Sequence, residues 1–335
     1  MSTIRTQFGN LYDCIERTEQ YPTTLTVVGI ALAFLIMDAT GISLTHGIRI
    51  MTFALGAYGV HLLYGYTGLL SFGHAAFFGI GAFATTIGLA DHGLPVMPAL
   101  GFGMVVSVVF AAVIGYLSIQ QFGIYFAILT LAFAEFLRFL TLQDVGGFTG
   151  GFQGVTGLFR RPEVGVSPLA LNLNNTPELF AFVALILVVN IYILRRLLLS
   201  QLGTSFIAVR ENEDRAKALG YNVQRIKLIS FTISGAITGV AGGLWAINIA
   251  AVTPDALNWQ ISGEFIFIII LGGIHQLLGP IVGSTLFFGL IEGFGVITDR
   301  RFLFVGLLLI GLVIYAPEGV WPYLKDRLRR FVERE

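Results

Sequence analysis

Few residues in this sequence have the types and spacing for chemistry, and those few point to binding and movement rather than to making bonds. Among the ionisable groups inside the long apolar runs are Glu135, Arg138, Glu264 and Glu292. Glu135 and Arg138 stand three apart, so on a helix they share a face and can neutralise each other. A charge at the centre of a lipid-spanning helix costs about 2.5 to 3.5 kcal/mol on insertion scales, so such groups turn toward protein, and a mutual pair is favoured over a proton relay. The histidines His46, His61, His74, His92 and His275 make no H-x-x-x-H or H-E-x-x-H pattern, so neither a metal nor another cofactor is expected. No nucleophile elbow or Ser and His pairing stands out, and no catalytic residue is assigned. The lysines Lys217, Lys227 and Lys325 follow Ala, Ile and Leu, whereas a phosphate-cradling loop needs Gly before its lysine. ATP hydrolysis by that route is excluded, and any ATP-derived energy must arrive from another chain.

Three stretches carry the remaining polar or flexible residues. From Ile50 to Ala90 there is no charge but there are eight glycines, and GYTGLLSFGH, Gly65 to His74, sets Thr67 and Ser71 among Gly65, Gly68 and Gly73. A helix interrupted there would expose backbone donors and acceptors, tolerated at membrane depth where they line a cavity or are buried in protein. A turn between two complete helices fits the same residues. The segment from Gln143 to Pro177 holds Thr149 and several glycines, among them Gly146, Gly147, Gly150, Gly151, Gly154 and Gly157, enough left-handed positions to form backbone nests for a carboxylate. The third stretch, Arg195 to Lys227, is the one long charged interruption. Its Thr204 to Leu219 reads as a helix capped by Thr204 or Ser205 and ended by Gly220. Phe206, Val209, Asn212, Ala216 and Leu219 fall on one side of it, a narrow apolar face that suits a partner's groove; charge alone leaves a solvated connecting helix equally open.

The elements that position these residues follow from composition. With 55% hydrophobic and 12% charged residues and a mean hydropathy of +0.81, the chain is a polytopic membrane protein. Continuous apolar runs exclude the alternation of a barrel, so the class is all-α, a transmembrane helical bundle of about 8 to 10 spans. Candidate spans are 24–45, 48–66, 68–90, 97–118, 122–142, 178–198, 228–250, 263–279, 280–297 and 301–316. Basic residues gather in 195–227 and in the tail after 317, which places both in the cytoplasm, 143–177 outside, and the segment 1–23 inside. Residues 24–316 then form one transmembrane domain. Cys14, the only cysteine, carries no disulfide or zinc site, and nothing points to nucleic acid. Repeated glycines at Gly235, Gly239 and Gly243, at Gly279 and Gly283, and at Gly289 and Gly293 predict close helix approach, with static packing favoured over a sliding contact in a moving bundle. A transport subunit driven by separate motors, an ion-coupled transporter acting alone and a passive small-solute channel are the functions to separate. The second would need a relay that Glu135, Glu264 and Glu292 supply poorly; the third gives a docking helix no purpose.

Over about residues 45 to 325 the chain resembles the permease subunits of branched-chain amino-acid ABC importers, of the LivM-like branch. GYTGLLSFGHAAFFGIGAF from Gly65, YFAILTLAFAEFLRFL from Tyr125 with TGGFQGVTGL from Thr149, and FIAVRENEDRAKALGYNVQRIKLISFTISGAITGVAGGL from Phe206 carry the resemblance, in order and at similar spacing. Two positions depart from it: Arg215, where the family often has Ala, and Phe152–Gln153, where a Pro-Asn-like pair is frequent. The resemblance implies a fold similar to the vitamin B12 importer-like permeases. It further implies an assembly in the inner membrane with a related second permease, two ATP-binding subunits and an external solute-binding protein. It makes Phe206, Val209, Arg210, Glu213, Ala216, Leu219 and Gly220 the coupling helix toward the ATPases. The same architecture serves urea and short-amide importers, so those solutes stand beside amino acids.

Overall fold

Apolar segments this long satisfy their backbone groups inside helices, and helices are what the chain forms. The structure, a computed structural model, describes residues 22–40, 43–156, 163–164, 171–297, 301–315 and 319–323. Expectations for Cys14, the N-terminal segment 1–21, Gly157 and most of the basic tail lie outside the described residues. The helices are α1 (Pro22–Thr40), α2 (Leu44–His61), α3 (His74–Ala90), α4 (Val96–Ser118), α5 (Ile124–Leu142), α6 (Thr176–Leu198), α7 (Gln201–Glu211), α8 (Glu213–Ala218), α9 (Val223–Ile249), α10 (Trp259–Gly272), α11 (Gly279–Ile297) and α12 (Arg301–Tyr315). All except α7 and α8 fall on the expected spans in order. Among the described residues, α4, α5, α6 and α9 are each long and apolar enough to cross a membrane. Two expected boundaries move: α2 widens into a π-helical turn at Leu62–Tyr66 and the chain is not helical again until His74, while α10 stops at Gly272, well before 279.

The chain divides into two compact units, one of Leu44–Ile266 and one of 1–43 with 267–335. In the first, α9 is the central helix, and α2, α3 and α4 pack on it. Its glycines allow this. A Cβ at Gly235 would run into Ala111, one at Gly239 into Ser107 and one at Gly243 into Thr85, while one at Gly242 would strike the Phe78 carbonyl. In return, a Cβ at Gly81 would strike the carbonyl of Gly239. The small-residue stripe is thus close packing of backbone against backbone and small side chains, the arrangement that helix association in lipid favours. Around it Phe231 meets Phe77 edge-on at 5.4 Å and Phe126 at 5.8 Å, in a cluster with Leu63, Leu69, Ala111, Ile114 and Ile119.

In the same unit two short ladders tie down the loops. β1 (Val155–Thr156) pairs antiparallel with β4 (Ala251–Val252), and β2 (Glu163–Val164) with β3 (Leu171–Asn172). In the second unit α11 packs on α12, and Phe294 stacks on Phe304 at 5.4 Å. Gly279 and Gly283 do mark a close approach, since a Cβ at Gly283 would meet the Ile268 carbonyl. Gly289 and Gly293 have no close neighbour among the described residues.

Candidate functional site

The charged stretch is not one helix. It breaks at Asn212, whose backbone is extended (φ −165°, ψ 108°) and whose side chain accepts a hydrogen bond from the Arg215 N–H at 2.8 Å, capping α8. Thr204 and Ser205, the expected caps, lie inside α7, and their hydroxyls bond back to the carbonyls of Ser200 and Leu202. Gly220 does end the helix. Its φ is +88°, its N–H donates to the Lys217 carbonyl, and the Tyr221 N–H donates to the Ala216 carbonyl, the paired bonds of a left-handed glycine stop.

The expected docking face is also redrawn. Phe206, Val209 and Ala216 are buried in this chain, at 0%, 1% and 2% exposure. They hold α7 and α8 against the bundle. Leu219, at 72%, faces away together with Arg215, Lys217, Ala218 and Tyr221. An amphipathic face marks where a helix packs, and here much of it packs on its own chain.

Two charged side chains of this stretch reach inward. Arg210 Nη1 donates to the Gly65 carbonyl at 2.5 Å, its stem lies against Gly68, and its Nη2 pairs with Glu211 at 2.7 Å. Glu213 accepts a hydrogen bond from Lys227 Nζ. Gly65 belongs to the π-helical turn, where the regular ladder loosens and carbonyls become available to outside donors.

The segment from Gly65 to His74 is a turn buried in the bundle. Along α2, Gly59 lies against Ser234 and Thr238 while the later Thr67 bonds Ser230, so α2 runs antiparallel to α9. Along α3, His74 meets Ser234 and the later Thr85 meets Gly243, so the direction reverses between them. Thr67 and Ser230 share a hydrogen bond of 2.6 Å, and His74 Nε2 lies 2.5 Å from Ser234 Oγ. Ser234 Oγ donates its proton to the Gly59 carbonyl at 2.8 Å, so Nε2 of His74 is the donor in their contact. Ser71 accepts from the Gly73 N–H, and Ser262 from the Ala75 N–H at 2.8 Å. Gly65, Thr67, Ser71, Gly73 and His74 are buried within this chain, and Gly68 alone of the six is exposed. Gly68, Leu69, Leu70 and Phe72 form one wall of an apolar cavity of about 400 Å³ whose other wall is Gly123, Ile124, Phe126 and Ala127.

The glycine-rich loop after α5 is a knot around Asp144. Its Oδ1 accepts from the Thr149 N–H at 2.8 Å, the Thr149 hydroxyl at 2.9 Å and the Gly150 N–H at 3.1 Å. The backbone bond from Thr149, then its hydroxyl, hold the Asp144 carboxyl below the ordinary aspartate value. Gly150, Gly151 and Gly154 are left-handed at φ +67°, +58° and +69°. The successive N–H groups of Thr149 and Gly150 converge on one anion, the chain's own carboxylate. Phe148 and Phe152 project from the knot, 65% and 85% exposed. Below it, Arg138 pairs with Glu135 at 3.6 Å and also with Asp255 at 3.8 Å, so the expected pair is a triad that includes the turn after α9.

Reading the sequence missed Asp144, Asp255, the capping role of Asn212, the Glu213 to Lys227 bond and the hydroxyl row Ser230, Ser234 and Thr238. The row had a visible signal, since spacing of four puts the three on one face of α9 beside the glycine stripe.

The model of the family described as branched-chain amino acid transport system / permease component matches residues 42–316. The high-affinity branched-chain amino acid transport system permease protein LivM of Salmonella typhimurium is 28% identical over 325 residues, covering 91% of this chain and 76% of that one. LivM of Escherichia coli is 28% identical over 299 residues, 83% and 70% of the two chains. The autoinducer 2 import system permease protein LsrC of Yersinia pseudotuberculosis serotype O:3 is 27% identical over 267 residues, 76% and 69%. No solved structure matches the chain. The matched residues run from α2 through the buried turn, the Asp144 knot and the charged stretch to the end of α12, and the chain belongs to the branched-chain amino acid transport permease family, the membrane-spanning components of ABC transporters.

Proposed function

We propose that this chain is one of two permeases of an ABC importer that carries branched-chain or related amino acids across the cytoplasmic membrane by alternating access. Two ATP-binding subunits would drive it from the cytoplasm, and a solute-binding protein would deliver from outside. The observation that carries the reading is the contact of Arg210 with the Gly65 carbonyl. It joins a charged stretch, in a chain without a phosphate-binding lysine motif, directly to the buried turn in the bundle. In this reading 195–227 is cytoplasmic, α8 with Leu219 and its exposed neighbours meets an ATPase, and 143–177 lies outside, where Phe148 and Phe152 meet the binding protein. Both termini are cytoplasmic, 24–316 is the transmembrane domain, and the bundle is of the vitamin B12 importer-like type.

The solute follows the names of the LivM relatives; urea and short amides are the alternatives. Purification from the native membrane tests the assembly. Recovery of a second permease and two ATP-binding proteins is expected, and a lone homomer would refute it. Competition of unlabelled leucine, urea and acetamide against labelled leucine in vesicles tests the solute.

A further inference from the structure

Lys227 is 2% exposed, and among the described residues no other Lys, Arg, Asp or Glu is so deeply buried. An ammonium group in such a place is tolerated only when paired. It has two partners. Nζ donates to the Glu213 carboxylate, and it lies 5.3 Å from the centre of the Phe122 ring, within cation–π range. Glu213 opens α8, Lys227 sits in the second turn of α9, and Phe122 lies in the turn between α4 and α5. One side chain therefore joins three elements.

The joint matters most for α8. At six residues it is too short to persist on its own, and Ala216 is its one fully buried residue. Its caps, Asn212 and Gly220, shape its ends without fixing it to anything else. The Glu213 bond is what fastens its first turn to α9. Beside it opens a cleft of about 250 Å³ lined by Gln120, Lys217, Tyr221 and Gln224, so the Glu213 end of the pair reaches water at 32% side-chain exposure while the Lys227 end stays enclosed. The hydroxyls of α9 that hold the buried turn, Ser230 and Ser234, begin less than one turn beyond Lys227.

We propose that Lys227 and Glu213 are positioning residues that make α8 and α9 move as one body. A displacement of α8 is then delivered along α9 to Thr67 and His74 of the turn. This rests on the reading of the chain as an ATPase-driven permease, with α8 as the part the motor moves. In place of this joint, α8 would swing about its flanking loops and the stroke would be lost there.

The test uses the whole importer, purified with its partners and reconstituted in vesicles with the solute-binding protein. Lys227→Met keeps the stem and removes the charge. The ratio of ATP hydrolysis with solute-loaded binding protein to hydrolysis without it should fall by about tenfold, within the range of coupling between distant sites, while the ATP-binding subunits stay attached. Glu213→Gln should act in the same direction. Lys227→Arg, which keeps the charge and can stack on Phe122, should restore most of the ratio. A normal ratio in either Lys227→Met or Glu213→Gln overturns the proposal. Loss of assembly in both makes the pair a folding element and overturns it equally. Failure of the importer reading would appear elsewhere, in the unsubstituted protein, as the absence of any ATP-binding subunit.

Discussion

Leu219 and Ala216 share the face expected from the helical pattern, yet one is 72% exposed and the other 2%. The two positions should fail in different ways. Full burial of a leucine side chain is worth about 1.5 to 3 kcal/mol, so covering Leu219 with a motor subunit should contribute on the order of 1 to 2 kcal/mol. Arginine there forfeits that and places a guanidinium in the contact, for a loss of about 2 kcal/mol, a weakening of about thirtyfold. At Ala216 the same arginine has no room inside its own chain, and α8 comes off the bundle before any partner is involved. The assay pairs retention of ATP-binding subunits through purification with hydrogen exchange of the α8 amides. Leu219→Arg should lose the subunits with exchange unchanged; Ala216→Arg should lose both. Lys217, whose side chain is 52% exposed and 3.7 Å from Asp214, holds a surface pair worth a few tenths of a kcal/mol, so Lys217→Ala should change neither readout. Retention of the subunits by Leu219→Arg would refute the outward face, and a protected α8 in Ala216→Arg would refute the inward one.

Arg210→Met removes the bond to the Gly65 carbonyl, a charge-assisted contact worth about 1.5 to 3 kcal/mol; a cysteine at Leu69, 7% exposed, in a Cys14→Ser background should then react with a soluble thiol reagent at least about tenfold faster. Equal rates would mean that Arg210 does not hold the turn. The knot depends on pH in a stated direction: because the folded Asp144 carboxyl lies below its ordinary value, protection of the Thr149 and Gly150 amides should persist at and below ordinary aspartate titration and vanish as pH falls through the lowered value. Asp144→Asn should remove that acid step, seen by hydrogen exchange. Gly150→Val and Gly151→Val each put a β-branched residue at positive φ, costing on the order of 1 to 3 kcal/mol, and should slow uptake while the ATP-binding subunits remain bound. Gly242→Ala drives a methyl into the Phe78 carbonyl and should lower the thermal stability of the purified complex, by about 1 to 3 kcal/mol of overpacking; an unchanged melting temperature would refute the close crossing of α3 and α9.

Helices were legible because apolar runs of membrane length admit few other structures, and Gly220 was legible because a helix end calls for a residue that tolerates positive φ. The break at Asn212 was hidden by the same logic, since a helical pattern on both sides looks continuous when an asparagine that caps reads equally well as one on a face. What the apolar face of the charged stretch touches was not legible at all: periodicity gives a side, and Phe206 packs equally well on its own bundle or on another chain. The long-range bonds, Thr67 to Ser230 and His74 to Ser234, join residues more than 150 positions apart, and no local pattern encodes them. In the loop after α5 the glycines announced donors, but only the fold shows that Asp144 already takes the N–H of Gly150 and of its neighbour Thr149.

The contact between Arg210 and position 65 has one partner that no substitution can delete. A carbonyl is present whatever residue stands there, so mutational scanning at 65 would report steric tolerance and say nothing of the bond. Nor would the two positions be expected to change in concert across related sequences, because one side of the pair carries no side-chain identity to match. Interactions of this kind are invisible to methods that infer proximity from paired substitutions. In this protein the whole genetic record of the link between the charged stretch and the buried turn would be written at a single arginine.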